Sequence, residues 1–142
     1  MRKNYLIILI SLIVIILDQL TKYLARTYEI SIQIIKDFLY LKYTTNTGAA
    51  FGILQNYTFP LILFSIAVLG VFIYYFDKLP ENKYILISVG LFIGGLIGNL
   101  IDRIFFKHVI DFIAFTFWPA FNIADSCIVI GVIGLVIWTW KR

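Results

Sequence analysis

The sequence predicts an all-α integral membrane protein in which four transmembrane helices carry a small outward-facing β platform after the first helix. Hydrophobic residues make up 61% of the 142 residues and charged residues 14%, against about 25% charged residues in soluble domains. Four apolar stretches each approach the roughly 20 residues that cross a bilayer. Two short segments after the first stretch have the composition of strands.

The four predicted spans cover residues 5–24, 59–76, 84–105 and 123–140. The first follows Arg2 and Lys3, as the apolar part of a signal peptide would. No small-residue cleavage site comes after it, and three more spans do, which excludes that interpretation. Because no repeat or linker divides the chain, we expect one membrane-embedded domain over residues 1–142.

The basic residues predict the orientation of the spans. Four spans leave both termini on one side, and half of the 12 Lys and Arg residues lie in short segments on that side. Short loops rich in Lys and Arg face the cytoplasm, so we expect cytoplasmic termini. The residues concerned are Arg2, Lys3, Lys78, Lys83, Lys141 and Arg142. Residues 25–58 and 106–121 then face outward.

The outward segment after the first span contains the two predicted strands. Residues 30–34 alternate with period two, and residues 38–44 are rich in β-forming side chains. We expect them to form the platform, and an irregular loop on the lipid headgroups is the alternative.

The charge pattern excludes several classes of function. The net charge of +4 is spread along the chain without the basic stripe of a nucleic-acid-binding protein. His108 is the single histidine, which excludes sites that need two histidine ligands. Cys127 has no second cysteine with which to form an internal disulfide.

Polar residues inside the spans are the candidates for function, because each costs about 2.5–3.5 kcal/mol in lipid. Asp18 lies about 20 Å and Asn99 about 22 Å above the inner ends of their spans, and Asp125 is in the first outer turn of the fourth. This shared depth predicts one site near the outer face. The polar residues in or beside the spans are Asp18, Lys22, Asn99, Asp102, Arg103, Asp111, Asn122 and Asp125.

Structural interpretations exist for several of them. Asp18 and Lys22 are spaced to pair on one helix face, either structurally or in contact with substrate. The adjacent Asp102 and Arg103 can anchor a helix end at the interface. Residues 122–125 read as a helix start, with an N-cap asparagine and a first-turn aspartate.

Small residues mark two further features. Gly90, Gly94 and Gly98 recur every four residues and predict a close helix–helix contact. Residues 46–52 combine an asparagine with two glycines, which suits either a tight turn or close approach of the backbone to a ligand.

Asp111 and Asp125 are candidates for a catalytic pair. One continuous helix would hold them about 21 Å apart, but Pro119 interrupts regular structure, so residues 112–121 can fold back as a loop. Two close carboxylates in a low-dielectric site share a proton, and one can act as base and the other as acid when water attacks an amide. Such a pair can also relay protons or bind a cation.

Five runs of residues together resemble the lipoprotein signal peptidases, the signal peptidase II family of bacteria. They are DQLTK (18–22), NTGAAFG (46–52), GGLIGNLIDR (94–103), VIDFI (109–113) and FNIADS (121–126). The resemblance implies an aspartic endopeptidase of the bacterial cytoplasmic membrane that needs no metal or other cofactor. Its substrates would be diacylglyceryl-modified prolipoproteins, cut before the lipidated cysteine. The sequence departs from the family at residues 106–108, a turn that often carries glycine.

By this resemblance, Asp111 and Asp125 fall on the catalytic aspartates. The residues that match substrate-binding or site-lining positions are Asn46, Gly48, Asn99, Arg103 and Asn122, and those in supporting positions are Asp18, Lys22 and Asp102. The implied partners are prolipoproteins and membrane lipid, with no nucleic acid, and nothing in the sequence demands more than a monomer.

Overall fold

The computed structural model describes residues 2–49 and 53–140, with side chains from Asn4 onward within those ranges. The four helices are α1 (Arg2–Thr27), α2 (Thr58–Tyr75), α3 (Lys83–Phe106) and α4 (Ile123–Trp140). A 3₁₀ turn, Phe76–Lys78, extends α2. Each of the four is long and apolar enough to cross a membrane, which confirms the predicted apolar helices.

A small antiparallel sheet accompanies the helices. Its strands are β1 (Ser31–Ile35), β2 (Leu39–Asn46), β3 (Val109–Phe115) and β4 (Trp118–Phe121). They lie in the order β1-β2-β3-β4. The first two confirm the strand pair predicted after the first helix, and β2 extends two residues further than expected. The fold is therefore mostly helical, with a sheet of four strands rather than two.

The interpretation of residues 112–121 as a loop is wrong. They form most of the β3–β4 hairpin, in which Phe115 pairs with Trp118. Pro119 lies in β4, an edge strand, which is where a sheet tolerates proline. The chain does fold back between Asp111 and Asp125, and it does so by pairing β3 with both β2 and β4.

Helix α3 is the centre of the helical layer. Half of its most apolar window is buried, against 6% of that of α2. The predicted close contact is present on the face towards α1, where a Cβ added at Gly94 would lie 2.8 Å from the Val14 Cβ. The C-terminal part of helix α2 packs on α3, where the Phe72 and Phe92 rings are 5.0 Å apart. The N-terminal half of α2 borders a cavity.

Candidate active site

The structure joins all ten predicted site residues in one network of hydrogen bonds and ion pairs. The network lies on α1 and α3, at and just before the start of α4, on β2 and β3, and in the bend that follows β2. Its members are Asp18, Lys22, Asn46, Gly48, Asn99, Asp102, Arg103, Asp111, Asn122 and Asp125.

Lys22 is the cation of a buried ionic triad. Its Nζ lies 2.7 Å from Asp18 Oδ2, which confirms the predicted pairing along α1, and 2.9 Å from Asp102 Oδ2 on α3. All three residues are at most 1% exposed. Asp102 also accepts a hydrogen bond from the Ile110 N–H at 3.1 Å. Asp102 is therefore bound to α1 and β3 instead of serving as a simple helix-end anchor.

Asp18 and its neighbour Gln19 link α1 to two other helices. Asp18 Oδ1 accepts a hydrogen bond of 2.9 Å from the Ala124 N–H at the start of α4. Gln19 Nε2 donates to Asp102 Oδ1 at 2.9 Å and to the Gly98 carbonyl at 3.1 Å. Sequence reasoning missed Gln19, although a glutamine inside an apolar span was an available signal.

Asn122 connects the two candidate catalytic aspartates. Its Oδ1 accepts from the Asp125 N–H at 2.8 Å, and its own N–H donates to Asp125 Oδ2 at 3.2 Å. This reciprocal arrangement confirms the predicted cap at the start of α4. Asn122 Nδ2 also donates to Asp111 Oδ1 at 2.7 Å. The cap of α4 thus carries both carboxylates into one site.

Asp111 lies on β3 and is 2% exposed. Its Oδ2 accepts a hydrogen bond of 3.2 Å from Asn46 Nδ2 on β2. Burial raises the pKa of Asp111 to about 7, and the negative charge of Asp125 contributes to the rise, against opposing hydrogen bonds from Asn46 and Asn122. Near neutral pH this carboxyl can therefore hold a proton that an ordinary aspartate has lost.

Three asparagine side chains present N–H groups to the carboxylates. In each, another group fixes the carboxamide oxygen, so the nitrogen must face the other way. Asn46 Oδ1 accepts from the Gly48 N–H at 2.9 Å, and Asn99 Oδ1 from Lys22 Nζ at 2.9 Å. The Asn122 oxygen is held by the cap of α4. The donors at this site are thus oriented before any ligand binds.

Residues 46–49 form the described part of the glycine-containing run, and residues 50–52 lie outside the described residues. The Gly48 carbonyl accepts a hydrogen bond of 2.9 Å from Arg103 Nη2. A Cβ added at Gly48 would lie 2.5 Å from the Ile53 carbonyl oxygen, so the close approach of the two backbones requires glycine. The buried Nε–H of Arg103 has no acceptor among the described residues.

The departure at residues 106–108 is accommodated by Lys107. Its φ of 65° is in the left-handed region that favours glycine. Its N–H donates to the Arg103 carbonyl at 3.2 Å, and its carbonyl accepts from Thr58 Oγ1 at 2.9 Å. Thr58 also donates to the Thr47 carbonyl at 3.3 Å, so it ties the start of α2 to the site. Sequence reasoning missed Thr58, which no local pattern marks.

A cavity of about 750 Å³ extends from the aspartates between α2, α3 and α4. At its polar end lie Asn46, Asn99, Arg103, Asp111 and Asp125. Most of the remaining wall is apolar and includes Leu61, Phe64, Phe92, Leu96, Trp118 and Val129. The cavity therefore suits a ligand with both a polar group and a long apolar part.

No group of three His, Cys, Asp or Glu side chains within residues 2–49 and 53–140 is arranged to hold a metal ion. The expected absence of a metal requirement stays a prediction, because it concerns the reaction.

Known proteins resemble this chain over nearly its whole length. The family model described as signal peptidase II matches residues 10–141. The chain is 41% identical to the lipoprotein signal peptidase of Halothermothrix orenii over 140 residues, which covers 96% of this chain and 97% of that protein. It is 49% identical to the lipoprotein signal peptidase of Caldanaerobacter subterraneus subsp. tengcongensis over 130 residues, 89% of this chain and 90% of that protein.

A solved structure has the same fold. It is a bacterial membrane enzyme determined by the in meso method at 2.3 Å resolution, and it superposes with a TM-score of 0.87 and 36% identity. The superposition covers 95% of this chain and 87% of that one. Together with the family match, these similarities show that the chain belongs to the signal peptidase II family.

Proposed function

We propose that this protein removes signal peptides from diacylglyceryl-modified prolipoproteins by cutting before the lipidated cysteine, with Asp111 and Asp125 as catalytic residues. The observation that carries the proposal is the bridge of Asn122 between these two carboxylates at the polar end of an otherwise apolar cavity. Family membership supports the reaction and the substrate class.

In the proposed reaction, one aspartate takes a proton from water while the water oxygen forms a bond to the scissile carbonyl carbon. The other aspartate, in its protonated form, hydrogen-bonds the carbonyl oxygen and stabilises its developing negative charge. When the C–N bond breaks, the proton taken from water passes to the leaving nitrogen. The pKa of about 7 at Asp111 supports a pair that shares one proton near neutral pH.

The other network residues are assigned to substrate and to support. We assign Asn46, Gly48, Asn99, Arg103 and Asn122 to binding the substrate or lining the site. For Arg103, this role is supported by its buried Nε–H, which has no acceptor within residues 2–49 and 53–140 and which a peptide carbonyl can accept. We assign Asp18, Lys22 and Asp102 to support, since their triad joins α1 to α3 and is linked through Asn99 to Asp125.

The same proposal includes the protein's place in the cell. Residues 1–142 form one domain in the bacterial cytoplasmic membrane, with both termini in the cytoplasm. The sheet and the active site lie near the outer face, so the acyl chains of the substrate stay in lipid while water enters from outside. The protein acts as a monomer without metal or other cofactor. The excess of Lys and Arg in the short segments supports this orientation.

Cleavage of a diacylglyceryl prolipoprotein by the purified protein in detergent tests the function. We expect Asp111→Asn and Asp125→Asn each to lower the rate at least about 100-fold, the scale of general acid–base catalysis. Asp37→Asn, in the exposed turn between β1 and β2, is the matched control and should cleave normally. Unlipidated substrate should resist cleavage, and a chelator should have no effect. Full activity of either site variant, or a metal requirement, would contradict the mechanism.

A further inference from the structure

Lys22 reaches Asp125 through a single intervening side chain. The three protons of its ammonium group have three acceptors: Asp18 Oδ2 at 2.7 Å, Asp102 Oδ2 at 2.9 Å and Asn99 Oδ1 at 2.9 Å. On its other side, Asn99 Nδ2 donates to Asp125 Oδ1 at 2.7 Å. A buried ion pair alone would not require this second connection.

The chemistry of the two groups fixes the orientation of Asn99. An ammonium group can only donate, so the atom of Asn99 that faces Lys22 must be the oxygen. Asn122 Nδ2 donates to the same oxygen at 3.1 Å. Because the carboxamide is planar, its N–H₂ group then faces Asp125. If Lys22 were absent, the amide would lose the stronger of the two donors that hold its oxygen in place.

Lys22 can act on Asp125 through its positive charge as well as through Asn99. The titratable and charged groups around Asp125 are Asp18 and Lys22 on α1, Asp102 and Arg103 on α3, Asp111 on β3 and Cys127 on α4. Asp18 and Asp102 leave the triad with a net charge of about −1 when both are ionised. The two routes are separated by removing the contact between Lys22 and Asn99 while the net charge of the triad is kept constant.

We propose that Lys22 is a positioning residue: it holds the Asn99 oxygen and thereby directs the Asn99 N–H₂ group at Asp125, which stabilises the charged form of Asp125. This inference rests on the proposed hydrolysis and specifies that Asp125 starts the reaction as the base. Asp125 then takes the proton of the attacking water as the O–C bond forms. Asp111 holds the shared proton against the carbonyl oxygen, and Asp125 returns its proton to the nitrogen as the C–N bond breaks.

The test compares two variants with the wild type, and one of them keeps the net charge of the wild-type triad. Lys22→Met alone would leave two buried carboxylates without a cation and would destabilise the fold. Lys22→Met combined with Asp18→Asn keeps the triad at a net charge of about −1, and the new amide can still accept from the Ala124 N–H. The wild type is therefore the reference of equal charge. Asp18→Asn alone, whose triad has a net charge of about 0, retains the contact between Lys22 and Asn99 and shows the effect of the Asp18 substitution by itself.

The measurement is kcat/KM for a lipidated prolipoprotein from pH 5 to 9, together with the melting temperature of each variant. Relative to the wild type, the double variant should have the acidic limb of its profile at a pH higher by about one unit, with a roughly tenfold loss below the limb, whereas Asp18→Asn alone should not show this rise. In an Asn99→Ala background, the same pair of substitutions should no longer move the limb, because the intervening amide is gone and the net charge of the triad is unchanged.

The outcomes separate the two proposals. A wild-type protein that does not cleave overturns the proposed function and this inference with it. A double variant that is less active by the same factor at every pH, or folded but inactive throughout, overturns the positioning role and leaves the proposed function standing. A limb that moves equally with and without the Asn99 carboxamide also overturns it, since the effect would then bypass Asn99.

Discussion

The burial of Asp111 predicts a pH-dependent stability that Asp111→Asn should remove. Its pKa rises from 3.8 to about 7 on folding, mainly through burial. Below pH 3.8 the carboxyl is protonated in the folded and the unfolded chain alike. Between pH 3.8 and 7 only the unfolded chain loses the proton, so the free energy of unfolding falls as pH rises. At about 1.4 kcal/mol per pKa unit, the loss amounts to about 4 kcal/mol above pH 7.

The assay is the melting temperature of Asp111→Asn and of the wild type in detergent from pH 4 to 8. We expect the difference between variant and wild type to increase by about 10 °C in favour of the variant across this range, and to level off above pH 7. Asp111→Asn also changes stability in ways that do not depend on pH, for example because the new amide faces Asn46 Nδ2. Such effects shift the melting temperature of the variant equally at every pH, so they do not alter the change across the pH range. Asp37→Asn, at an exposed turn, serves as the control for an aspartate in water.

Parallel melting curves for Asp111→Asn and the wild type would refute this reasoning. They would mean that Asp111 has the same protonation in the folded and the unfolded chain. The site would then lack the neutral carboxyl that the proposed reaction uses near pH 7.

Two further predictions concern packing and orientation. Gly98→Ala places a Cβ 2.6 Å from Asp18 Oδ2 and should lower stability by about 1–3 kcal/mol. In contrast, Gly70→Ala meets no atom within 4 Å and should raise stability by up to about 1 kcal/mol. Equal changes in melting temperature would contradict this packing argument. In a Cys127→Ser background on intact cells, a membrane-impermeant thiol reagent should label Asp37→Cys, and should label Glu81→Cys only after permeabilisation. The reverse pattern would contradict cytoplasmic termini.

The sequence predicted the site residues that lie in or beside the spans for one physical reason, whereas Asn46 and Gly48 were assigned only through the family resemblance. A polar side chain in lipid is costly, so its presence in an apolar span requires a partner or a function. Asp18, Lys22 and Asn99 could therefore be identified individually, and their common depth predicted that they meet. Local composition also sufficed for β1 and β2, since their antiparallel pairing is set by neighbouring residues.

The hairpin of β3 and β4 could not be predicted in this way. Strand β3 of this hairpin pairs with β2, so Asn46 lies opposite Val109 although more than 60 positions of sequence separate them. Pro119 and the aromatic residues around it are as typical of a loop as of an edge strand. The pairing depends on α1 and α3 bringing the two segments together, which is a property of the tertiary fold. The orientation of the Asn99 amide is likewise visible only when Lys22 and Asp125 are both in place.

The distribution of partners among the four carboxylates of the site, three of them buried and Asp125 half-buried, explains how one site can hold both stable and reactive acids. Asp18 and Asp102 share the ammonium group of Lys22, which pairs with both carboxylates and holds two helices together. Among the described residues, Asp111 and Asp125 have no ion-pair partner and accept hydrogen bonds from amides instead. A neutral amide orients a carboxylate without neutralising it, so burial can still raise the pKa of Asp111 to about 7. A lysine in place of Asn46 would lower that pKa and remove the proton on which the proposed hydrolysis depends.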